Sequence, residues 1–557
     1  MKKNVLLWIA EQIKKRIPGI TLMTAAQVAH GLLCVFFALG TRGVIDSAVA
    51  GDSTLFLKAC LKQGGIIAGI LISMTVVRHL REKLRTDLER DWKKNLLNKL
   101  LHGDFASVSA YHSAELVNRL NNDTNKINDG VLNILPSAAS MVVRLVAAIT
   151  VLGTLDRDFV LVIGILGAVV IVLTGAMRQH LKGLNKRVSE SDGIVSGFIQ
   201  ELMEKLLVVQ AMDLAHEAEN RCDQLLEERY VLQRKRKNTS LFINTGISLT
   251  YYGAGFIALC WCAARMLWGE MSFGSLTAVT QLVNQLQNPF VNLTNVMPQY
   301  VAMMASAERL MELDEIPVET EVMREDPWQI YEKTEMICGE KLCFSYDRDQ
   351  VLSDADFSLP KGAFAVITGP SGIGKSTILK LLLGVFGLDG GKIFLKSKDS
   401  ESLLDRTTRR LFIYVPQGNL LFSGTLRENL TIVRPDATEQ QLEKAIFVSA
   451  MDEFLPQLPQ GLDTPLGEGG AGLSEGQAQR LAIARAILSG APILLLDECT
   501  SALDEQTEDT VLRRIQELKD RTVIVVTHRP AAVQLCNWWL EVSDGKISAG
   551  PIETSEN

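Results

Sequence analysis

The chain has 557 residues, of which 47% are hydrophobic and 22% charged, and its formal net charge is −7. A mean hydropathy of +0.14 is too apolar for an ordinary soluble enzyme and too low for a pure bundle of membrane spans, so a half-embedded, half-aqueous chain fits. The acidic balance excludes nucleic acid as a partner, because phosphate backbones need a basic surface. Nine cysteines without a C-x-x-C pair give no reason to expect disulfides or a metal cluster.

At the N-terminus, Lys2 and Lys3 are not followed by a short apolar stretch with a small-residue cleavage site, so no removable signal is expected. Residues 4–17 place Leu6, Ile9, Ala10, Ile13 and Ile17 on one helical face, with Lys14, Lys15 and Arg16 near the end. The pattern predicts an interfacial elbow helix over 1–18, with Pro18 turning the chain inward.

Six apolar runs are long enough to cross about 30 Å of hydrocarbon. They lie at 19–45, 61–79, 131–155, 159–177, 241–267 and 274–304, within a transmembrane domain over 19–315. Spans three and four are joined only by Asp156, Arg157 and Asp158, and spans five and six by 268–273. By contrast, 80–130 and 178–240 are long, charged and helix-periodic, and they hold most of the lysine and arginine. That asymmetry predicts an integral multi-pass protein of the cell (plasma or inner) membrane, with the long connections and both termini in the cytosol.

Two features of the spans bear on cargo. In span six, Gln281, Asn284, Asn288, Asn292, Asn295 and Gln299 recur every three or four residues, so they share one helical face. Such a stripe suits either a water-filled cavity or interhelical hydrogen bonds. Arg144, near the middle of span three, suits either an anionic cargo or a partner within the bundle. Trp261, Tyr251 and Tyr252 in span five read as packing and interface anchors.

Residues 316–334 form an acidic linker. Over 335–557 the apolar runs become short and β-rich, at 364–369, 411–417, 493–498 and 522–528, alternating with helical patterns. This is an α/β domain with a largely parallel sheet. The first of these strands runs into GPSGIGKST at 369–377, followed by a helical run. In this context Gly369, Ser371, Gly372, Gly374, Lys375, Ser376 and Thr377 form a phosphate loop. Glycines let backbone N–H groups curl round phosphates, Lys375 supplies a point charge, and the Ser376 hydroxyl is a ligand for Mg²⁺. In ILLLDE, Asp497 ends a buried strand where its carboxylate reaches Mg²⁺ through water, and Glu498 is placed to polarise an attacking water.

Between these elements lies LSEGQ, Leu473 to Gln477, and here the chain resembles the ABC transporter ATPase, whose signature is usually LSGGQ. The resemblance implies that Gln417 in YVPQ is the Q-loop residue linking Mg²⁺ to the membrane domain. It likewise makes GEGG at 467–470 the exporter-type loop and Asp504 in SALD the D-loop. His528 in VTHR becomes the switch histidine that senses the γ-phosphate, and Tyr346 the aromatic that stacks on adenine. It further implies that Ser474, Gly476 and Gln477 complete an ATP site on a second chain, so one chain cannot finish a site alone. Glu475 departs from the usual glycine and puts a negative charge beside that site.

The membrane half is similar to the six-span exporter type, which implies coupling helices near 105–113 and 210–219. The fold class expected is therefore an all-α six-helix transmembrane domain with long cytosolic extensions, followed by an α/β P-loop ATPase. The function implied is an ATP- and Mg²⁺-dependent exporter half-transporter for a lipid, drug or peptide cargo, acting by alternating access. A homodimer is expected because every part of the site is present. A heterodimer and a membrane-bound sensory ATPase without cargo are the alternatives.

Overall fold

Asn4 opens the first helix, α1 (Val5–Gln12), by accepting a hydrogen bond from the backbone N–H of Leu6 at 3.1 Å. In the computed structural model, which describes residues 4–318, 326–346, 349–398, 400–418, 421–467, 470 and 472–552, the chain forms two compact units. One comprises Met1–Asn98 with Ser113–Glu315, and the other Lys99–His112 with Ile316–Asn557.

In the first unit, α1 buries Trp8 and Ile9, and the Trp8 indole donates to Asp314 Oδ2 at 2.9 Å. The chain turns at Ile13, earlier than the expected Pro18, through a 3₁₀ turn over Lys14–Arg16. Arg16 is held there by Asp87 and Asp91 at 2.9 and 2.8 Å. Pro18 instead lies in the first turn of α2 (Ile17–Val49), where its missing N–H would have had no partner anyway.

Helices α3 (Ser53–His102), α5 (Ser113–Asn118), α6 (Thr124–Leu155), α7 (Arg157–Glu204), α8 (Leu206–Ala211), α9 (Ala215–Leu267) and α10 (Phe273–Asp314) follow in this unit, while the short α4 (Phe105–Ser109) lies in the segment 99–112 that belongs to the second. The six long ones run from 32 to 53 residues. At 1.5 Å per residue even the shortest reaches about 48 Å, more than a bilayer core requires. Among the described residues the stretches Lys14–Val49, Ser53–His102, Ser113–Leu155 and Ala215–Leu267 are also apolar enough to cross a membrane. The backbone of α7 and α10 is continuous helix, but the side chains of 166, 168–182, 287–295 and 297 lie outside the described residues.

Asp156 makes the short turn between α6 and α7 by accepting from Asp158 N and Phe159 N, and it also takes a bond from the Trp261 indole at 3.0 Å. Asp46, near the end of α2, accepts from Gly274 N and Ser272 Oγ at 3.0 Å each, closing the N-terminus of α10. At the other end of α10, Arg309 pairs with the fully buried Asp123, which Ser306 also contacts.

Two short helices fall at or beside the segments where coupling helices are expected, 105–113 and 210–219. The first, α4, is only five residues long, capped by Asp104 through Ser107 N at 3.0 Å. The second, α8, lies at 206–211 rather than near 210–219, because Asp213 adopts a left-handed φ of 55° that interrupts the helix before α9. Residues 99–112 cluster with the second unit. There Asp104 N donates to Pro317 O at 2.9 Å, and Phe105 packs edge-on against Phe386 at 5.8 Å.

Of the linker, 319–325 lie outside the described residues. Its end is a helix, α11 (Pro327–Lys333), fixed to the second unit by Trp328 Nε1 to Gly490 O at 2.8 Å and by the buried Tyr331 against Thr522 at 2.7 Å.

The second unit is built round a six-stranded sheet in the order Lys546–Pro551, Trp538–Ser543, Phe364–Thr368, Thr522–Val526, Ile493–Asp497, Phe412–Val415. All neighbours are parallel except the first pair. Thr522–Val526 and Ile493–Asp497 are buried along their whole length, as strands covered on both faces should be. A second, antiparallel sheet pairs Asp349–Pro360, Thr334–Tyr346, Gly390–Ser397 and Glu401–Leu403. It was not expected from sequence, because one face is exposed and its alternating charged residues dilute the apolar pattern.

Candidate functional site

Phe364–Thr368 delivers the chain to the loop at 369–374, and α12 (Lys375–Leu382) carries it away. Gly369, Gly372 and Gly374 take φ of 142°, 81° and 109°, conformations an L side chain rarely adopts. At Gly374 space is also lacking, since a Cβ would come within 2.3 Å of Val351 Cγ1. The almost fully buried Lys375 donates from Nζ to the carbonyls of Gly369 and Pro370, each at 2.9 Å, and so closes the loop on itself. Ser371 is exposed on the loop. Thr377 is buried, its Oγ1 3.4 Å from the Tyr346 hydroxyl. The Tyr346 ring stands edge-on to Phe344 and Phe386, at 4.9 and 5.4 Å.

The predicted acids meet this loop. Asp497 is 2% exposed; its Oδ1 accepts from Ser376 Oγ at 3.0 Å and its Oδ2 from the Tyr414 hydroxyl at 2.8 Å. Glu498 sits in the left-handed region at φ 48°, held by a bond from its N–H to Val526 O at 3.0 Å. That strain, about 1–2 kcal/mol for a residue with a Cβ, turns its carboxylate out of the strand. Gln417 Nε2 donates to Glu498 Oε2 at 2.7 Å, and His528 Nε2 lies 3.7 Å from Oε1. Ser376, Asp497, Glu498, Gln417 and His528, far apart in sequence, thus form one cluster beside the loop.

The remaining predicted residues form a second group. Ser474 caps the helix Glu475–Ser489 in a reciprocal box: Gln477 N donates to Ser474 Oγ at 3.3 Å, and Ser474 N to Gln477 Oε1 at 2.9 Å. Glu475 is exposed at the first position of that helix. A Cβ at Gly476 would meet Ala502 O at 3.0 Å, so glycine lets the SALD segment approach. Asp504 caps the helix Glu505–Gln516, and the bonds from the N–H and hydroxyl of Thr507 hold its carboxyl below the usual range. Among the described residues no hydrogen bond or ion pair joins Ser474–Gln477 to the phosphate loop. Glu468 and Gly469 of GEGG lie outside the described residues.

Sequence reasoning missed three contributors. The first is Tyr414, through its bond to Asp497. The second is Gln479, 5% exposed, which bonds Ser501 Oγ and Ala502 N at 3.2 and 3.0 Å and ties the Ser474 helix to the SALD segment. The third is Arg529, next to His528, which donates to the fully buried Glu508 at 2.6 Å and to Ser501 O and Leu503 O at 2.7 and 2.9 Å. None of the three leaves a trace in the sequence, because each acts through a contact that only the fold brings about.

In the membrane unit, Arg144 has a buried Nε without a hydrogen-bond partner and makes no ion pair among the described residues. Of the span-six amides, Gln281 has a buried, unpartnered Oε1, while Asn284 and Gln299 are exposed. The side chains of Asn288, Asn292 and Asn295 lie outside the described residues.

A glycine loop closed by a lysine at a helix start, facing consecutive carboxylates on a neighbouring strand, defines a P-loop nucleotide-hydrolysing domain, here fused to long apolar helices. Two family profiles agree: ABC transporter over residues 352–501 and ABC transporter transmembrane region over 20–290. The chain belongs to the ABC transporters, as an exporter-type half-transporter whose nucleotide-binding ATPase domain and membrane region lie on one polypeptide of an integral membrane protein. It is 26% identical to an ATP-dependent lipid A-core flippase of Vibrio cholerae, over 97% of this chain and 93% of that one. It is 29% identical to the uncharacterized ABC transporter ATP-binding protein YwjA of Bacillus subtilis, over 91% and 88%. The solved structure of a bacterial Atm1-family ABC exporter with ATP bound shares the fold, with a TM-score of 0.77, 24% identity, and coverage of 97% of this chain and 95% of that one.

Proposed function

We propose that two copies of this chain form an exporter that hydrolyses ATP and moves a hydrophobic or amphipathic cargo out of the cytosol or inner leaflet by alternating access. The observation that carries this reading is the cluster beside the phosphate loop, where Ser376 meets Asp497 at 3.0 Å and Glu498 lies between Gln417 and His528. Curled amides of 369–374, the start of α12 and Lys375 hold the outer phosphates, and the Tyr346 ring flanks adenine. The Ser376 hydroxyl, the Asp497 carboxylate and the Gln417 amide are the hard oxygen donors that suit Mg²⁺. When bound, that ion would neutralise charge on the phosphates. Glu498 orients and deprotonates the attacking water, and His528 contacts the γ-phosphate. The partner's Ser474 and Gly476, at a helix N-terminus, close the site from across the dimer, with Gln477 holding the cap and Asp504 ordering the segment between the two groups.

Homodimerisation is supported by one chain carrying every part. The lysine- and arginine-rich connections support a cytosolic ATPase domain and cytosolic termini. The short helices over 105–109 and 206–211 are suited to couple the ATPase to the bundle. Arg144, with no carboxylate partner among the described residues, and the amides of span six suit an amphipathic cargo with an anionic group. A lipid is therefore the first to test, as the flippase relative also suggests. The experiment is ATP-dependent movement of labelled lipids, drugs and peptides in proteoliposomes, with turnover measured in parallel. Movement of one class with stimulated turnover supports export. Turnover that no compound alters, with no movement, supports the sensory ATPase instead.

A further inference from the structure

The strand Phe412–Val415 and the residues just after it touch both consecutive acids of the strand beside it. Gln417 reaches Glu498 at 2.7 Å, and Tyr414, three residues earlier, reaches Asp497 at 2.8 Å. The register explains the second contact. Tyr414 lies opposite Leu495 in a parallel pair, so its side chain leans along the strand toward the end where Asp497 sits.

Asp497 has no solvent to orient it, being 2% exposed, and a carboxylate rotates in a broad torsional well. Its orientation therefore rests on two donors, Ser376 Oγ on Oδ1 at 3.0 Å and the Tyr414 hydroxyl on Oδ2 at 2.8 Å. These donors are not equivalent. Ser376 belongs to the phosphate loop and its oxygen is needed for the ion, so its bond to Asp497 is the one exchanged on loading. Tyr414 belongs to the sheet and stays.

We propose that Tyr414 is a positioning residue for Mg²⁺, fixing the Asp497 carboxylate at the orientation from which it serves the ion held with Ser376. This rests on the reading of Ser376 and Asp497 as the Mg²⁺ site. It also makes one short strand and a residue just past its end the holders of the metal-facing and the water-facing acid, through Tyr414 and Gln417.

The test compares Tyr414→Phe, which removes only the hydroxyl, with the full-length wild-type chain in lipid nanodiscs. Binding of a fluorescent ATP analogue is titrated with free Mg²⁺, and separately measured in EDTA. The half-saturating Mg²⁺ concentration should rise about tenfold, the low end of the loss caused by removing the hydrogen-bond partner of a metal ligand. Binding in EDTA should be unchanged. A Mg²⁺ dependence in Tyr414→Phe equal to wild type overturns the proposal, as does equal weakening with and without Mg²⁺, which marks a residue that only packs the sheet. If wild-type binding shows no Mg²⁺ dependence at all, the metal-site reading itself falls and takes the proposal with it. Ser376→Ala separates these cases, because it should lose the Mg²⁺ effect whatever Tyr414 does.

Discussion

Asp497 and Arg144 are both charged groups set within packed helices or strands, and the protein treats them in opposite ways. Asp497 has a donor on each oxygen, whereas Arg144 has a buried Nε with no partner and no ion pair among the described residues. The contrast extends to their surroundings. Gln27, Gln63, Gln281 and Gln285 in the membrane unit each have a buried, unpartnered Oε1. In the ATPase unit the orphaned atoms belong to arginines such as Arg480 and Arg521, each of which bonds through another nitrogen. A buried polar atom without a partner costs about 1–3 kcal/mol. The ATPase unit avoids that cost where reacting groups must be fixed. Among the described residues the membrane unit carries it on Gln27, Gln63 and Gln285, whose amide nitrogens are bonded, and on Gln281 and Arg144.

If pairing in the ATPase unit is what fixes its geometry, breaking it should be expensive. Arg529→Ala leaves Glu508 buried with only Thr500 as a partner. We expect a loss of about 3 kcal/mol, read as a lower thermal midpoint of the ATPase unit and reduced turnover. Asp123→Ala applies the same test to a fully paired carboxylate of the membrane unit. There Arg309 is 40% exposed and can rehydrate, so about 2 kcal/mol is expected in a denaturation series. Gly374→Ala forces a Cβ against Val351 at φ 109°, and a strain of about 1–2 kcal/mol should weaken ATP binding roughly tenfold in a titration. Ser474→Ala removes a helix cap worth about 1 kcal/mol. If Ser474 also serves a partner's site, turnover should drop by far more than thermal stability does. The smallest effect tests the other side of the contrast. Gln281→Leu should leave stability within about 0.5 kcal/mol of wild type while changing cargo stimulation. A large destabilisation would mean that Gln281 is paired in the working protein.

The features legible in the sequence are the local ones. The phosphate loop packs its chemistry into nine consecutive residues, and Asp497 with Glu498 closes an unbroken apolar strand, so both could be read directly. Tyr414 could not, because an aromatic in a short strand reads as packing, and only the register shows it beside Asp497. The pair Glu508–Arg529 spans 21 residues with no pattern between them. The long helices that carry the apolar runs were legible from hydropathy, but the turn at Ile13 and the place of α8 were not. These depend on the pairing of Arg16 with α3 and on the left-handed Asp213.

The measurement that bears most directly on the whole account is ATP turnover by the purified chain alone in lipid nanodiscs, wild type beside Glu498→Gln. We predict robust wild-type turnover and a fall of about 10²–10⁴-fold in the variant, the usual contribution of a general base, with ATP binding retained. Folded wild-type protein that binds ATP without turning it over would contradict a self-sufficient pair of identical chains, and equal turnover in the two proteins would contradict the role given to Glu498.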